Sequence, residues 1–346
     1  MEFDIRKMQC QDAQVIESIR ALFLRSGIDR STSHYQWTYA GTNGYFPHVH
    51  FAYHGEKVAG MYATVPQVFQ CGSSTVLACQ SLDTLVDAGY RGCGLFTKLA
   101  DKTYADLRVD DISFVYGFPN GNSFHGFVTK LNWLVLDPVP FLFRPIKLSY
   151  FLQRWGLWPG WLPSPRIPIV GPRDISTRLD GLPSEEKTNR LWERFSAQIK
   201  VGRVRDYRFL FHRYIAKPDV QYLVRVCMND AELEGLIIYC AERKHGGVIG
   251  YVMELMTIPD RPRVAACLVS DALRDLSQAG CDGVLAWCFE HSPSYRVFLK
   301  QLFFPLPESV RPIELHFGCG TFDHGLQELL SERRNWYISY SDSDTV

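Results

Sequence analysis

The stretch whose reading decides the fold is 85-LVDAGYRGCGLFTKLADK-102. An apolar run ends at Val86, the chain turns through Ala88-Gly89-Tyr90, and from about Gly92 apolar residues recur at helical spacing as far as Leu107. The first amides of a helix have no intrahelical partner and sit at the positive end of its dipole, so such a start binds phosphate. Gly92 and Gly94 let the backbone approach an anion with no Cβ in the way. Arg91 adds a fixed charge and Thr97 a hydroxyl, with Cys93, Leu95 and Phe96 completing the step. Tight helix–strand packing also asks for glycines here, so the step draws its weight from its surroundings. Neither of the other phosphate signatures, G-x-x-x-x-G-K-[ST] or a G-x-G-x-x-G after the first strand, is present.

Outward from that step, short strands alternate with helices. Phe3 to Met8 alternates as a strand, and Asp12 to Leu24 is a helix capped by Asp12 or Gln11. Residues 47–54 and 57–70 form a hairpin turning at His54-Gly55-Glu56-Lys57, and 75–87 is a long strand. A buried strand at 112–118 is stopped by Pro119 and Asn120-Gly121, a helix follows near 122–131, and WLVLDPV reads as another strand. The second half repeats this order: Tyr39…Gly60 lines up with Tyr214…Gly235 without a gap, and residues 284–304 echo 113–133. Self-similarity over such a length points to a duplicated domain rather than a solenoid. The expected division is 1–140, a connector 141–183 rich in Pro and aromatic residues, and 184–346.

Composition excludes several classes. Lys and Arg number 37, Asp and Glu 37, giving no net charge, which argues against a broad polyanion-binding face. The ten cysteines are scattered, with no C-x-x-C pair, and several lie in apolar runs as small hydrophobes. The start MEFDIRKMQC lacks the pattern of a signal peptide, and no uninterrupted apolar stretch of about 18 residues exists to span a bilayer. The expectation is a cytoplasmic protein with reduced thiols and no bound metal.

The loop resembles the acetyl-CoA-binding motif of the GCN5-related N-acetyltransferase (GNAT) superfamily, R/Q-x-x-G-x-G/A. Val86, Tyr90, Arg91, Gly92, Gly94 and Leu95 match it, whereas Phe96 replaces the final Gly or Ala. The resemblance covers residues 1 to about 140 and, as a faded copy, 185–346. It implies an α/β (α+β) fold of two tandem GNAT-like domains, each a mostly antiparallel mixed sheet flanked by helices. It also implies acyl-CoA as co-substrate, with its pantetheine lying along the strand before the loop at Leu85 and Val86. Asn120 and Asn122, at the mouth of the next helix, would bond the pantetheine amides, although as turn formers they are equally explained. The second copy reads IPDRPRVAAC at 258–267, with no glycine and with Pro262 at the expected helix start, so one coenzyme site is expected.

An amine that attacks a thioester has to be aligned and deprotonated. Many relatives carry a tyrosine as general acid in the helix that follows the strand 112–118; matching Asn132-Trp133 to the end of that helix puts Val128 at its place. His125, one turn earlier, is the nearest titratable substitute, and Asp83, in the apolar run SLDTLV, is the candidate base. The ending NWYISYSDSDTV reads as a strand from Trp336 to Tyr340 followed by Asp342 and Asp344. It resembles the ending of bacterial two-copy members associated with surface-polysaccharide genes. Trp336 and Asp342 are therefore candidates for contact with the acceptor, and Asp344 for catalysis, against a default of a solvated acidic tail. Aromatic residues make up 14% of the chain, and Trp155, Trp158 and Trp161 crowd the connector. A small polar acceptor such as a nucleotide-linked amino sugar, a dTDP-amino-dideoxyhexose, suits these features; a strap over the domain junction or a membrane-surface contact explains the connector as well. Two other readings stand beside this one: an aminoacyl-tRNA-dependent peptidoglycan-type transferase, and a non-catalytic acyl-CoA-binding module.

Overall fold

The computed structural model describes every residue except 43, 151–158, 160–163 and 346. Trp155, Trp158, Trp161 and Phe151 of the connector therefore lie outside the described residues.

The chain forms two compact units that do not follow chain order. One holds Met1–Pro138, Ala216–Asp219 and Leu315–Asn335; the other holds Val139–Ile215, Val220–Glu314 and Trp336–Val346. In the first unit, β1 (Asp4–Met8) precedes α1 (Ala13–Arg25) and α2 (Thr32–Tyr39). The Asp12 side chain caps α1 by accepting from the Gln14 amide, and Ser31 caps α2 through the His34 amide. Then come β2 (His48–His54), β3 (Lys57–Cys71), β4 (Ser74–Val86), α3 (Leu95–Val109), β5 (Phe114–Gly117), α4 (Gly121–Leu131) and β6 (Leu134–Val135). The sheet path runs β1-β2-β3-β4-β5, then the late strand Gly318–Thr321, then β6. All neighbours along it are antiparallel except β4 and β5. Sequence patterning missed α2, which has almost no apolar stripe, and overextended β6: Asp137 and Pro138 end it after two residues.

The second unit uses β7 (Phe141–Pro145), β8 (Arg178–Asp180), α5 (Glu185–Ser196), β9 (Val201–Arg203), β10 (Leu223–Asn229), β11 (Glu232–Lys244), β12 (Gly247–Thr257), α6 (Pro262–Gln278), β13 (Gly283–Trp287) and β14 (Phe304–Pro305). Its path, β8-β10-β11-β12-β13-β7-β14, again has one parallel pair, β12 with β13. β10 and β11 begin at the spacing that separates Tyr39 from Tyr214, counted from β2 and β3. The β-bulge between Ala52 and Tyr53 recurs at that spacing between Cys227 and Met228. The duplication is thus written in backbone irregularities as well as in sequence. Each unit takes its sixth strand from the other half of the chain: residues 318–321 enter the first sheet and 141–145 the second. The expectation of two mixed, mostly antiparallel sheets flanked by helices is met.

Candidate coenzyme and catalytic site

The glycine step has the geometry its sequence calls for. Asp87 accepts from the Gly89 amide at 3.1 Å and pairs with Arg25 and Lys57, each at 3.2 Å. The Gly89 amide is the chief cause that lowers its pKa. This pins the turn that delivers Arg91, which is exposed. Gly92 and Gly94 both take left-handed backbone, φ 78° and 72°, which an L side chain resists. A Cβ added to either would meet nothing within 4 Å, so the space above the step is open. Gly94 is the N-cap of α3; no side chain caps the helix and its first turn carries no acid. The opening amides, from Leu95 to Thr97, therefore start a 15-residue helix whose positive end faces that open space. Cys93 is partly buried. Phe96, the departure from the motif, turns inward: its ring meets Phe127 edge-on at 5.2 Å, and a Cβ on Gly126 would come within 2.9 Å of it. Phe96 thus packs α3 against α4, and only its backbone belongs to the step.

β4 leads into this step and loses a neighbour on the way. It pairs with β5 only at Ala78–Phe114, Cys79–Val115 and Gln80–Tyr116. At Gly117 the two strands still touch, since a Cβ there would lie 2.9 Å from the Ser81 carbonyl oxygen. Beyond it, Leu82 to Val86 pair only with β3 among the described strands, Leu85 opposite Met61 and Val86 opposite Gly60. A strand edge with unpaired amides and carbonyls is a template for an extended amide-bearing ligand. Behind the fork, Ser81 donates to Tyr62 at 2.9 Å, Tyr62 meets Tyr104 at 2.9 Å, and Trp133 Nε1 donates to Tyr104 at 2.9 Å. These buried groups fix the fork from within.

Asp83 sits at the β3–β4 register shift with φ 48°, a left-handed conformation that Asp tolerates better than most residues. Its side chain is only 4% exposed, pairs with Arg30 at 3.1 Å and accepts from the Tyr39 hydroxyl at 2.8 Å. Burial, then the Asp83 charge, raises the Tyr39 phenol well above its ordinary pKa. Sequence reading found the carboxylate but missed Arg30 and Tyr39, which patterning cannot connect to it.

Around α4, Asn120 is a helix cap, its side-chain oxygen accepting from the amides of Asn122 (3.1 Å) and Ser123 (3.2 Å). The cap commits that oxygen, so a contact of Asn120 with pantetheine amides falls to its amino group alone. Asn122 and His125 are exposed, and Val128 is half-buried. The structure brings two further residues to this end of α4. His316 Nδ1 lies 2.5 Å from Asp137 Oδ2, whose other oxygen accepts from the Phe317 amide at 2.7 Å. The His316 ring stacks on Phe124, centroids 3.7 Å apart and planes 13° from parallel, and its amide donates to the Pro119 carbonyl at 2.9 Å.

The chain's end corrects its sequence reading. Trp336–Tyr340 is no strand: Ser339 and Asp342 form a capping box around a 3-10 turn, Tyr340–Asp342. Trp336 and Asp342 are 1% and 2% exposed, inside the second unit rather than at an acceptor. Asp342 pairs with Arg205 at 2.5 Å, and Arg205 pairs with Glu254 at 2.8 Å. Glu254 also accepts from Tyr337 at 2.6 Å and Ser339 at 2.8 Å. A buried cation demands such partners, so these acids serve the interior. Asp344 alone of the tail acids is exposed.

Among the described residues no group of three or more His, Cys, Asp or Glu could hold a metal ion, and no helix is long and apolar enough to cross a membrane. The model of the acetyltransferase (GNAT) domain family matches residues 4–135, the segment that holds the fork and the glycine step. No curated protein matches the sequence. Among solved structures, the chain is similar to Saccharomyces cerevisiae N-myristoyltransferase with bound myristoyl-CoA, at TM-score 0.62 and 14% identity, covering 92% of this chain and 82% of that one. A GCN5-related N-acetyltransferase from Anabaena variabilis gives TM-score 0.63 and 14% identity over 92% of this chain and 72% of that one. A probable N-acyltransferase from Enterococcus faecalis gives 0.62 and 12% over 93% and 72%. At these identities the likeness is one of fold, and it spans both units. Residues 4–135 thus carry the acetyltransferase (GNAT) domain, and the solved N-acyltransferase structures share the fold of the chain.

Proposed function

We propose that the first unit binds acyl-CoA with its pyrophosphate on the amides of Gly92 to Thr97 and its pantetheine along the open edge of β4, and transfers the acyl group to the amine of a small polar acceptor. The observation that carries this reading is the uncapped, glycine-lipped start of α3 at the end of a half-unpaired strand. Leu85 and Val86 supply backbone partners to the pantetheine amides. The unpaired amides of the fork stand where a thioester carbonyl develops negative charge, and donors aimed there lower the barrier. Cys93 belongs to the step, and Asn122 and the Asn120 amino group lie at the mouth of α4, within the same ligand's reach.

The acceptor class rests on the chain's charge balance and aromatic content. No net charge means no steering toward basic protein tails, and a nucleotide-linked amino sugar, a dTDP-amino-dideoxyhexose destined for surface polysaccharide, fits both. A second reading takes the acceptor to be a peptide α-amine and the donor a long-chain acyl-CoA; the likeness over 92% of the chain to an N-myristoyltransferase favours it. Mass spectrometry of the products from acetyl-CoA and myristoyl-CoA, each offered a dTDP-amino-dideoxyhexose and an N-terminal-glycine peptide, separates the two. An acylated sugar supports the first reading. An acylated peptide with an untouched sugar overturns it.

A further inference from the structure

The geometry points to His316 and Asp137 as the proton-transfer pair of this site, with His316 Nε2 the atom that takes the proton from the acceptor's ammonium. The inference rests on the acyltransferase reading and assigns it a base. An ionised carboxylate accepts hydrogen bonds and cannot donate them, so the 2.5 Å contact with Asp137 Oδ2 places the ring proton on Nδ1. Nε2 is then the basic nitrogen, and Asp137 stabilises the imidazolium that forms. Asp137 is itself held by the Phe317 amide, and Phe124 clamps the ring face to face. A base oriented by a third group and locked by packing is the arrangement proton transfer requires.

Its place in the fold suits the role. Gly318, two residues on, pairs with Gly117, the residue that touches Ser81 where β4 and β5 part. The His316 amide is tied to Pro119, at the turn between β5 and α4. The pair therefore stands at the open end of the fork, one strand beyond the thioester's proposed bed, with a side-chain exposure of 23% for His316 and 25% for Asp137. Asp83 has its two oxygens on Arg30 and Tyr39, and His125 points to solvent on the helix that supplies Phe124.

The step balances as follows. His316 Nε2 takes one proton from the ammonium. The freed nitrogen pair attacks the thioester carbon and forms the C–N bond. The tetrahedral intermediate collapses with breakage of the C–S bond, and the amine's second proton goes to the departing sulfur. The products are the amide, CoA thiol and an imidazolium that releases its proton to water.

The test follows thiol release from acetyl-CoA and from myristoyl-CoA across pH, with a dTDP-amino-dideoxyhexose, an N-terminal-glycine peptide, and water alone as acceptors. His316→Gln should lower kcat by roughly 10²–10⁴-fold and abolish the acid limb of the pH profile. Asp137→Asn should lower kcat and displace that limb, which a purely structural role would not do. Calorimetric CoA affinity, unchanged in both variants, shows that the site is folded. If either folded variant keeps the wild-type limb and rate, the assignment is overturned. If Asp83→Asn removes the limb while His316→Gln keeps it, the base is Asp83. Failure of wild-type protein to bind CoA would instead overturn the reading on which the inference rests.

Discussion

Asp83 shows how little a single residue's sequence context can say about its role. A carboxylate in an apolar run signals a partner or a raised pKa, and sequence cannot tell which; the partners here come from the α1–α2 loop and from α2, an element that patterning missed. With Arg30 and Tyr39 on its oxygens and φ at 48°, Asp83 is suited to holding the β4 bulge that opens the fork. Asp83→Asn keeps a residue that tolerates the left-handed region but removes the Asp83 charge from its pair with Arg30. It should cost about 1–3 kcal/mol by urea unfolding, the range for a half-buried charged hydrogen bond, with the acid limb of activity intact. Arg30→Met should cost a similar amount and, in a double-mutant cycle with Asp83→Asn, should be far from additive. Additive losses would mean that the two do not act together. The pair His316–Asp137 was beyond sequence reading for a different reason: 179 positions separate its members, and only the late strand's return to the first sheet brings them together.

At the scale of elements, β2 carries a pH dependence that the fold imposes. His48 and His50 are buried on it; burial lowers both pKa values, that of His50 from 6.5 to about 4, and His50 Nδ1 meets Thr103 at 3.0 Å. The sign follows from proton counting. Between about 6.5 and 4 the unfolded chain binds protons that the folded chain refuses, so stability falls as pH drops through that window. For His50 alone the loss is on the order of 3 kcal/mol at the acid end. A thermal midpoint that falls from pH 6.5 toward 4, with a shallower fall in His50→Gln, is the expected result; the same slope in both proteins would remove His50 from the explanation. The start of α3 makes a second element-scale prediction. Gly94→Ala meets no atom, so its cost, about 1–2 kcal/mol, is backbone strain alone. A loss of CoA affinity should accompany the loss of stability, because the added Cβ enters the space through which the phosphate approaches, and wild-type affinity in Gly94→Ala would show that a Cβ-free backbone is not required. Most elements of the first unit were legible because apolar period, caps and turns agreed: Asp12 caps where expected, and the hairpin turns at residues 54–57. The tail was illegible because its alternation of aromatics and serines mimics a strand, while the Arg205 cluster that folds it into a capping box lies far away in sequence.

For the whole molecule, the duplication and its degeneration set the stoichiometry. The repeat was visible in sequence because β2–β3 and β10–β11 keep one spacing and one bulge; the exchange of a strand between the halves left no local signal. In the second unit the helix equivalent to α3 starts at Pro262 behind Arg261, with no glycine, and the left-handed residue at its turn is the acidic Asp260, φ 59°. One CoA per chain is therefore expected in a calorimetric titration, and two equivalent sites would show that the second helix start binds phosphate by other means. The same titration, repeated on Gly94→Glu, tests the central claim most directly. A carboxylate placed over the opening amides of α3 should fill the phosphate cradle and repel its occupant, weakening CoA binding by roughly 100-fold or more, about 2.7 kcal/mol, in a protein that still unfolds cooperatively. Wild-type CoA affinity in folded Gly94→Glu would contradict the account.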